Sequence, residues 1–175
     1  MSTLAGSSPE GLLPEGLLIV WHSRTGAARA MAGAAERGAR EGACAVRMVA
    51  AADADPAAML AAAGYLFVCP ENLGTMSGAM KEFFDRCYYP LLGRIEGRAY
   101  ATMIAAGSDG SGAQAQIDRI VTGWRLRRVV ESQIVNCNAQ TPQEILAPKR
   151  LSAASLEECS VMGQALAEGL ALGIY

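Results

Sequence analysis

The feature that most restricts how this chain can fold is an alternation. Short continuous apolar runs are each closed by a polar or glycine-bearing turn and then followed by a stretch of helical character. Leu17 to Trp21 and Tyr65 to Cys69 are such runs and read as strands buried on both faces, and Arg98 to Ala106 gives a further strand. Cys44 to Val49 is a further, weaker strand, and the last falls within Val129 to Cys137. Between them, Ala27 to Arg40 carries the Ala, Met, Glu and Arg content of a helix. Its Ala30, Ala34 and Gly38 form a narrow small-residue face suited to close packing on a sheet. Asp53, Asp55 and Pro56 signal the start of a helix over Ala57 to Ala63, which Gly64 is expected to end. Met80 to Tyr89 and Ala113 to Trp124 are helices by period, and Ser152 or Ser155 caps a final one carrying Leu156, Val161, Met162, Leu166 and Leu170. Alternating strands and helices imply a parallel sheet covered on both faces, because every parallel crossover is right-handed and needs a covering element. Five strands and five helices are expected, in an α/β doubly wound architecture.

The chain of 175 residues is long enough for one complete core but cramped for two. Residues 17–175 are read as that single domain, and residues 1–16 as a flexible leader without the basic start of a signal peptide. With 15 Lys and Arg against 17 Asp and Glu, the net charge of -2 offers nothing to nucleic acid or an anionic membrane. No apolar run approaches the ~18 residues of a membrane span. The five cysteines, Cys44, Cys69, Cys87, Cys137 and Cys159, are widely spaced and odd in number, which points to a reducing cytoplasm and not a disulfide framework.

In a doubly wound sheet, ligands bind beyond the carboxyl ends of the strands, and three loops here follow three expected central strands. The first is His22-Ser23-Arg24-Thr25-Gly26-Ala27-Ala28. It offers two hydroxyls, a run of backbone N–H groups and a helix start where an anion is favoured, with Gly26 allowing close approach. Ser23 and Thr25 would serve equally as plain helix caps. The second, Pro70-Glu71-Asn72-Leu73-Gly74-Thr75-Met76-Ser77-Gly78, exceeds the usual βα connection of about two to six residues. That length invites a ligand role, and a surface turn ending in a Ser77 cap is the alternative. The third, Gly107-Ser108-Asp109-Gly110-Ser111-Gly112, lacks both the spacing and the location of the dinucleotide fingerprint.

These loops resemble those of flavodoxin-like NAD(P)H-dependent FMN reductases and NAD(P)H:quinone oxidoreductases. Ser23-Arg24-Thr25-Gly26-Ala27-Ala28 follows the flavodoxin phosphate-loop form S/T-x-T-G-x-T, with Ala28 in place of the last Thr. Pro70-Glu71-x-x-Gly74-x-x-Ser77-Gly78-x-x-Lys81-x-x-x-Asp85 resembles the reductase branch and is the more specific signal. The resemblance implies a flavodoxin-like five-stranded sheet of order 2-1-3-4-5 and one noncovalent FMN. It also implies electron transfer from NAD(P)H to a small-molecule acceptor, a quinone or a flavin, in a homodimer or homotetramer. It places the phosphate on Ser23, Arg24, Thr25, Gly26, Ala27 and Ala28. The ring would lie on Pro70, Glu71, Asn72, Leu73, Gly74, Thr75 and Met76, its other edge bordered by Gly107, Ser108, Asp109 and Gly110. A flavodoxin-type electron carrier and a cofactor-free protein of the same fold are the competing functions; the low net charge and the second loop favour the enzyme.

Neither the second nor the third loop carries the aromatic side chain that electron-carrier flavodoxins stack on the ring. The ring face is therefore open to substrate, or is closed by Tyr88, Tyr89 or Trp124 of this or a neighbouring subunit. His22, the only histidine, is expected to orient the first loop rather than bind metal. Glu71 reads as a solvated loop charge, Cys69 as a small buried hydrophobe, and Lys81 and Asp85 as a helical pair. Arg125, Arg127 and Arg128 read as a solvated helix end, with a nucleotide's extra phosphate as the sharper alternative.

Overall fold

The computed structural model describes residues 14–175. Along the chain lie β1 (Leu17–Trp21), α1 (Ala27–Glu41), β2 (Val46–Ala50), α2 (Pro56–Ala61), β3 (Gly64–Asn72), β4 (Thr75–Met76), α3 (Gly78–Leu91), β5 (Ala99–Ala106), α4 (Ser111–Gly123), β6 (Arg127–Arg128), β7 (Gln133–Asn136), α5 (Pro142–Leu146) and α6 (Ala153–Ala171). The main sheet runs β2-β1-β3-β5-β6 in space, with β7 also pairing β5. All of these pairings are parallel. This is the expected order 2-1-3-4-5, with the fifth place shared by two short strands. The pairing Tyr100↔Arg128 is followed by Met103↔Gln133, so the outer strand carries two more residues than its partner. At the break, the buried Thr102 hydroxyl donates to Gln114 Oε1 at 2.6 Å and lies 2.9 Å from Ser132 Oγ.

Because side chains alternate across a strand, the continuous apolar runs feed two separate cores. Leu17, Ile19, Leu66, Val68, Ala101 and Met103 pack with α1 and α6 on one face. Leu18, Val20, Tyr65, Phe67 and Tyr100 pack with α2, α3 and α4 on the other, where Phe83, Phe84 and Trp124 complete an aromatic cluster. The first core is built largely of alanine, and its helices come very close. A Cβ on Gly38 of α1 would meet Ser160 O of α6 at 1.9 Å, and one on Gly163 of α6 would meet Ala35 O of α1 at 2.0 Å. The small-residue face of α1 therefore serves α6 as well as the sheet, and Ala30 is only half-buried.

The end of α2 and the start of β3 differ from expectation. Gly64 opens β3 instead of ending a helix: α2 stops at Ala61, and Gly64 N donates to Gly16 O. The start of α2 is as expected, with Asp55 Oδ1 accepting from Ala58 N at 2.8 Å and Pro56 in the first turn. Residues 1–13 of the expected leader lie outside the described residues. Glu15 and Gly16 are hydrogen-bonded to the domain through Ala61 O, Ala63 N and Gly64 N. Among the described residues no helix is long and apolar enough to cross a membrane.

Candidate functional site

The carboxyl ends of β1, β3 and β5 open into a cavity of about 470 Å³. At one end is the first loop. His22 N donates to Val68 O, Gly26 takes a left-handed conformation at φ 100°, and Ala30 N donates to Gly26 O to begin α1. The turn closes internally, Gly26 N donating to Ser23 Oγ at 3.1 Å. No side chain caps α1, so the plain-cap alternative for Ser23 and Thr25 does not hold. Ser23, Arg24, Thr25, Ala27 and Ala28 line the cavity. Ala28 is buried there and offers no hydroxyl at the motif's last position.

The second loop is more ordered than its length suggests. β3 runs on through Pro70 to Asn72, Leu73 and Gly74 turn at φ 54° and 73°, and β4 returns antiparallel with Glu71↔Met76 and Asn72↔Thr75. Two central residues at positive φ mark a type I′ hairpin, which matches the twist of its strands. Leu73 adopts this conformation without being a glycine and is fully exposed at the tip.

Glu71 is not the solvated charge expected. Its Oε1 accepts from Gly110 N and its Oε2 from Ala113 N, each at 3.0 Å, so the carboxylate fills the N-terminus of α4. Met76 N donates to Gln116 Oε1 at 3.0 Å, and Gly112 leaves only enough room for Gly74 O against the helix. The hairpin is thereby stapled to α4. Ser77 makes no side-chain cap on α3 and instead pairs its buried hydroxyl with His22 Nδ1 at 2.8 Å, joining the first loop to the second.

Burial, and then the Arg24 charge, lower the His22 pKa below its ordinary 6.5. The folded state therefore favours the neutral ring. The stability this contributes is complete above pH ~6.5 and is lost as pH falls through the folded pKa. Denaturation midpoints of the wild type should decline over that window more than those of His22→Gln. Parallel pH profiles would remove His22 as the cause.

Of the residues placed in the site by resemblance, Pro70 to Gly74, Gly107 and Ser108 join the first loop around the cavity. Gly26, Thr75, Met76, Asp109 and Gly110 do not line it. Met76 is buried beneath the hairpin, the Thr75 hydroxyl donates within the turn, Asp109 binds Ser111, and the Gly110 N–H is taken by Glu71. Trp124 is fully buried, donating to Tyr88 O, and neither it nor Tyr88 or Tyr89 of the same chain lines the cavity.

The remaining candidates do not line the cavity. Burial pushes the Cys69 thiol up to about 12, as befits a core hydrophobe. Lys81 pairs with Asp85, Arg125 with Glu96, and Arg128 with Asp118.

A fourth segment borders the cleft that the sequence reading did not single out. After β7 the chain crosses from the third loop, where Ala139 N donates to Gly107 O at 3.0 Å, to the first, where Lys149 N donates to Thr25 O at 2.7 Å. Between these pins lies α5, opened by a reciprocal capping box of Thr141 and Glu144. Thr141-Pro142-Gln143-Glu144 is the signal that would have found it. Cys137, Ala139, Ile145, Leu146 and Lys149 bring this strap into the cavity wall.

Solved structures show the same fold. They include a flavodoxin from the domain Archaea (18% identity over 89% of this chain and 98% of that one, TM-score 0.71). A WrbA-like flavodoxin from Agrobacterium tumefaciens matches at 19% over 90% and 98%, TM-score 0.66. A flavone reductase matches at 15% over 89% and 62%, TM-score 0.72. A search of curated sequences returns no match. The model of the NADPH-dependent FMN reductase family matches residues 38–141. With that match over more than half its length, the chain belongs to the NADPH-dependent FMN reductase family, a flavodoxin-like oxidoreductase with FMN as cofactor and NAD(P)H as electron donor.

Proposed function

We propose that the cleft holds FMN with its phosphate on the first loop and its ring beside the Pro70 to Gly74 hairpin, and that the enzyme passes electrons from NAD(P)H to a quinone or a flavin. The observation that carries this reading is the contrast between two helix starts at the cleft. That of α1 has no side-chain cap, whereas that of α4 is filled by the Glu71 carboxylate. A dianion has one favourable end to occupy, where backbone N–H groups of the first turn converge with the Ser23 and Thr25 hydroxyls. The cavity volume lies within the ~300–1,000 Å³ usual for small-ligand sites, so the residues present fit the group.

Bound FMN supplies the hydride chemistry, and the protein supplies position and electrostatics. Backbone groups of the hairpin meet the ring edge, while Ala105, Ala106 and Leu73 give the cleft an apolar lining. Arg24, exposed at the mouth, is the cation that a nicotinamide nucleotide's phosphates would meet. His22 acts through Ser77 on the loop conformation. No aromatic side chain lines the cavity, which leaves the ring face accessible to a donor and a planar acceptor in turn and favours an enzyme over a one-electron carrier.

Protein titrated with FMN should show the absorbance of bound oxidised flavin and should oxidise NADPH or NADH when a quinone or free flavin is added. A protein that binds no flavin overturns the cofactor assignment. One that binds flavin, stays inert with both nucleotides and every acceptor and holds a stable one-electron-reduced flavin is a carrier and overturns the enzyme reading. Thr25→Val should weaken FMN binding by about 1–3 kcal/mol through loss of a charge-assisted bond. An unchanged dissociation constant removes Thr25 from the site.

A further inference from the structure

The strap between Ala139 and Lys149 is held almost wholly by polar contacts. α5 buries none of its residues. Its start is fixed by the capping box and Pro142. At its end, the Lys149 ammonium donates to the carbonyl oxygens of Glu144, Ile145 and Ala147. Three carbonyls at a helix C-terminus are a favourable seat for a cation, so Lys149 locks the helix end in place. That lock is tied to the first loop by the Lys149 N to Thr25 O bond.

The strap nevertheless presents two aliphatic side chains to the cavity, with Ile145 50% and Leu146 74% exposed. Leu73 at the hairpin tip is exposed in the wall of the same cavity. Three large aliphatic side chains around one cleft that has no aromatic lining are apolar surface left in water, and a flat apolar ligand would cover it. Most of the strap lies past residue 141, where the family match ends, so it is a feature of this chain beyond the matched segment.

We infer that Ile145 and Leu146 are cofactor-binding residues that cover one face of the isoalloxazine ring of FMN in place of stacking aromatics, the other face staying open to donor and acceptor, and that Lys149 is a positioning residue that sets the strap against the first loop. The inference rests on the reading that FMN occupies this cleft. It assigns Lys149 to the strap and not to the phosphate, since its ammonium is already bound by three carbonyls.

The test uses full-length apoprotein titrated with FMN and, separately, with riboflavin, which has the same ring and no phosphate. Flavin fluorescence reports binding, and thermal melting of the apoprotein reports the fold. Ile145→Ala/Leu146→Ala should weaken FMN and riboflavin by about tenfold each, with an unchanged apoprotein melting temperature, because neither side chain is buried without ligand. Lys149→Met should weaken both flavins by the same factor. Flavin constants within twofold of wild type in the double variant overturn the ring cover. A Lys149→Met variant that loses FMN affinity and keeps that for riboflavin overturns the positioning role and makes Lys149 a phosphate ligand. A wild type that binds neither flavin overturns this inference together with the reading beneath it, whereas a wild type that binds with unaltered variants overturns the inference alone.

Discussion

Gly163→Ala is expected to destabilise the protein by about 3 kcal/mol, lowering its melting temperature by roughly 10 °C. The added Cβ would stand 2.0 Å from Ala35 O, 2.7 Å from its carbonyl carbon and 2.8 Å from its Cα. All three are backbone atoms of α1, so no side-chain rotation relieves the contact. Alanine's higher helix propensity returns about 1 kcal/mol, which is too little to offset the separation of two helices packed backbone to backbone. Gly38→Ala meets Ser160 O at 1.9 Å from the opposite side and should cost a similar amount. The double variant should cost less than the sum, because helices already pushed apart by one methyl admit the second. Denaturation of the two singles and the double measures this coupling. Strict additivity, or a loss below about 0.5 kcal/mol, would mean that α1 and α6 do not meet at these glycines.

The second large effect concerns Glu71. Glu71→Gln keeps one acceptor for α4 but turns an amide N–H₂ toward the other backbone N–H and removes the charge that complements the helix start. A loss of about 2 kcal/mol in stability follows from two charge-assisted bonds weakened or broken. The hairpin is released from α4 along with it, so FMN affinity should fall several-fold even in a variant that remains folded. Glu71→Ala leaves the α4 N-terminus vacant, and inorganic sulfate or phosphate should then raise its melting temperature more than it raises that of the wild type. Equal salt responses and unaltered stability would show that the carboxylate does not hold this helix start.

The sequence by itself determined the architecture. The runs Leu17 to Trp21 and Tyr65 to Cys69 must be strands covered on both sides, because their every residue is apolar and a two-residue period sends half to each face. Helical stretches between them then require a parallel sheet with right-handed crossovers, while the order 2-1-3-4-5 comes from the resemblance of the loops to the flavodoxin-like reductases. The first loop was legible for the same local reason, since a strand end, a glycine and a helix start suffice to orient N–H groups toward an anion. Long-range partners were not legible. Glu71 looks solvated in the chain and is instead bonded to Gly110 and Ala113, about forty positions away. The small-residue face of α1 gave no sign that α6 would share it with the sheet. The strap from Ala139 to Lys149 has no apolar period, because what holds it is two backbone hydrogen bonds to other loops and an ammonium on its own carbonyls. Local periodicity encodes which face of an element is buried, and so the sequence alone reached the sheet and the end of it where the cavity opens. Which carboxylate closes α4, and which side chains stand over the cleft, are set by contacts between segments far apart in the chain, and only the tertiary structure decided them.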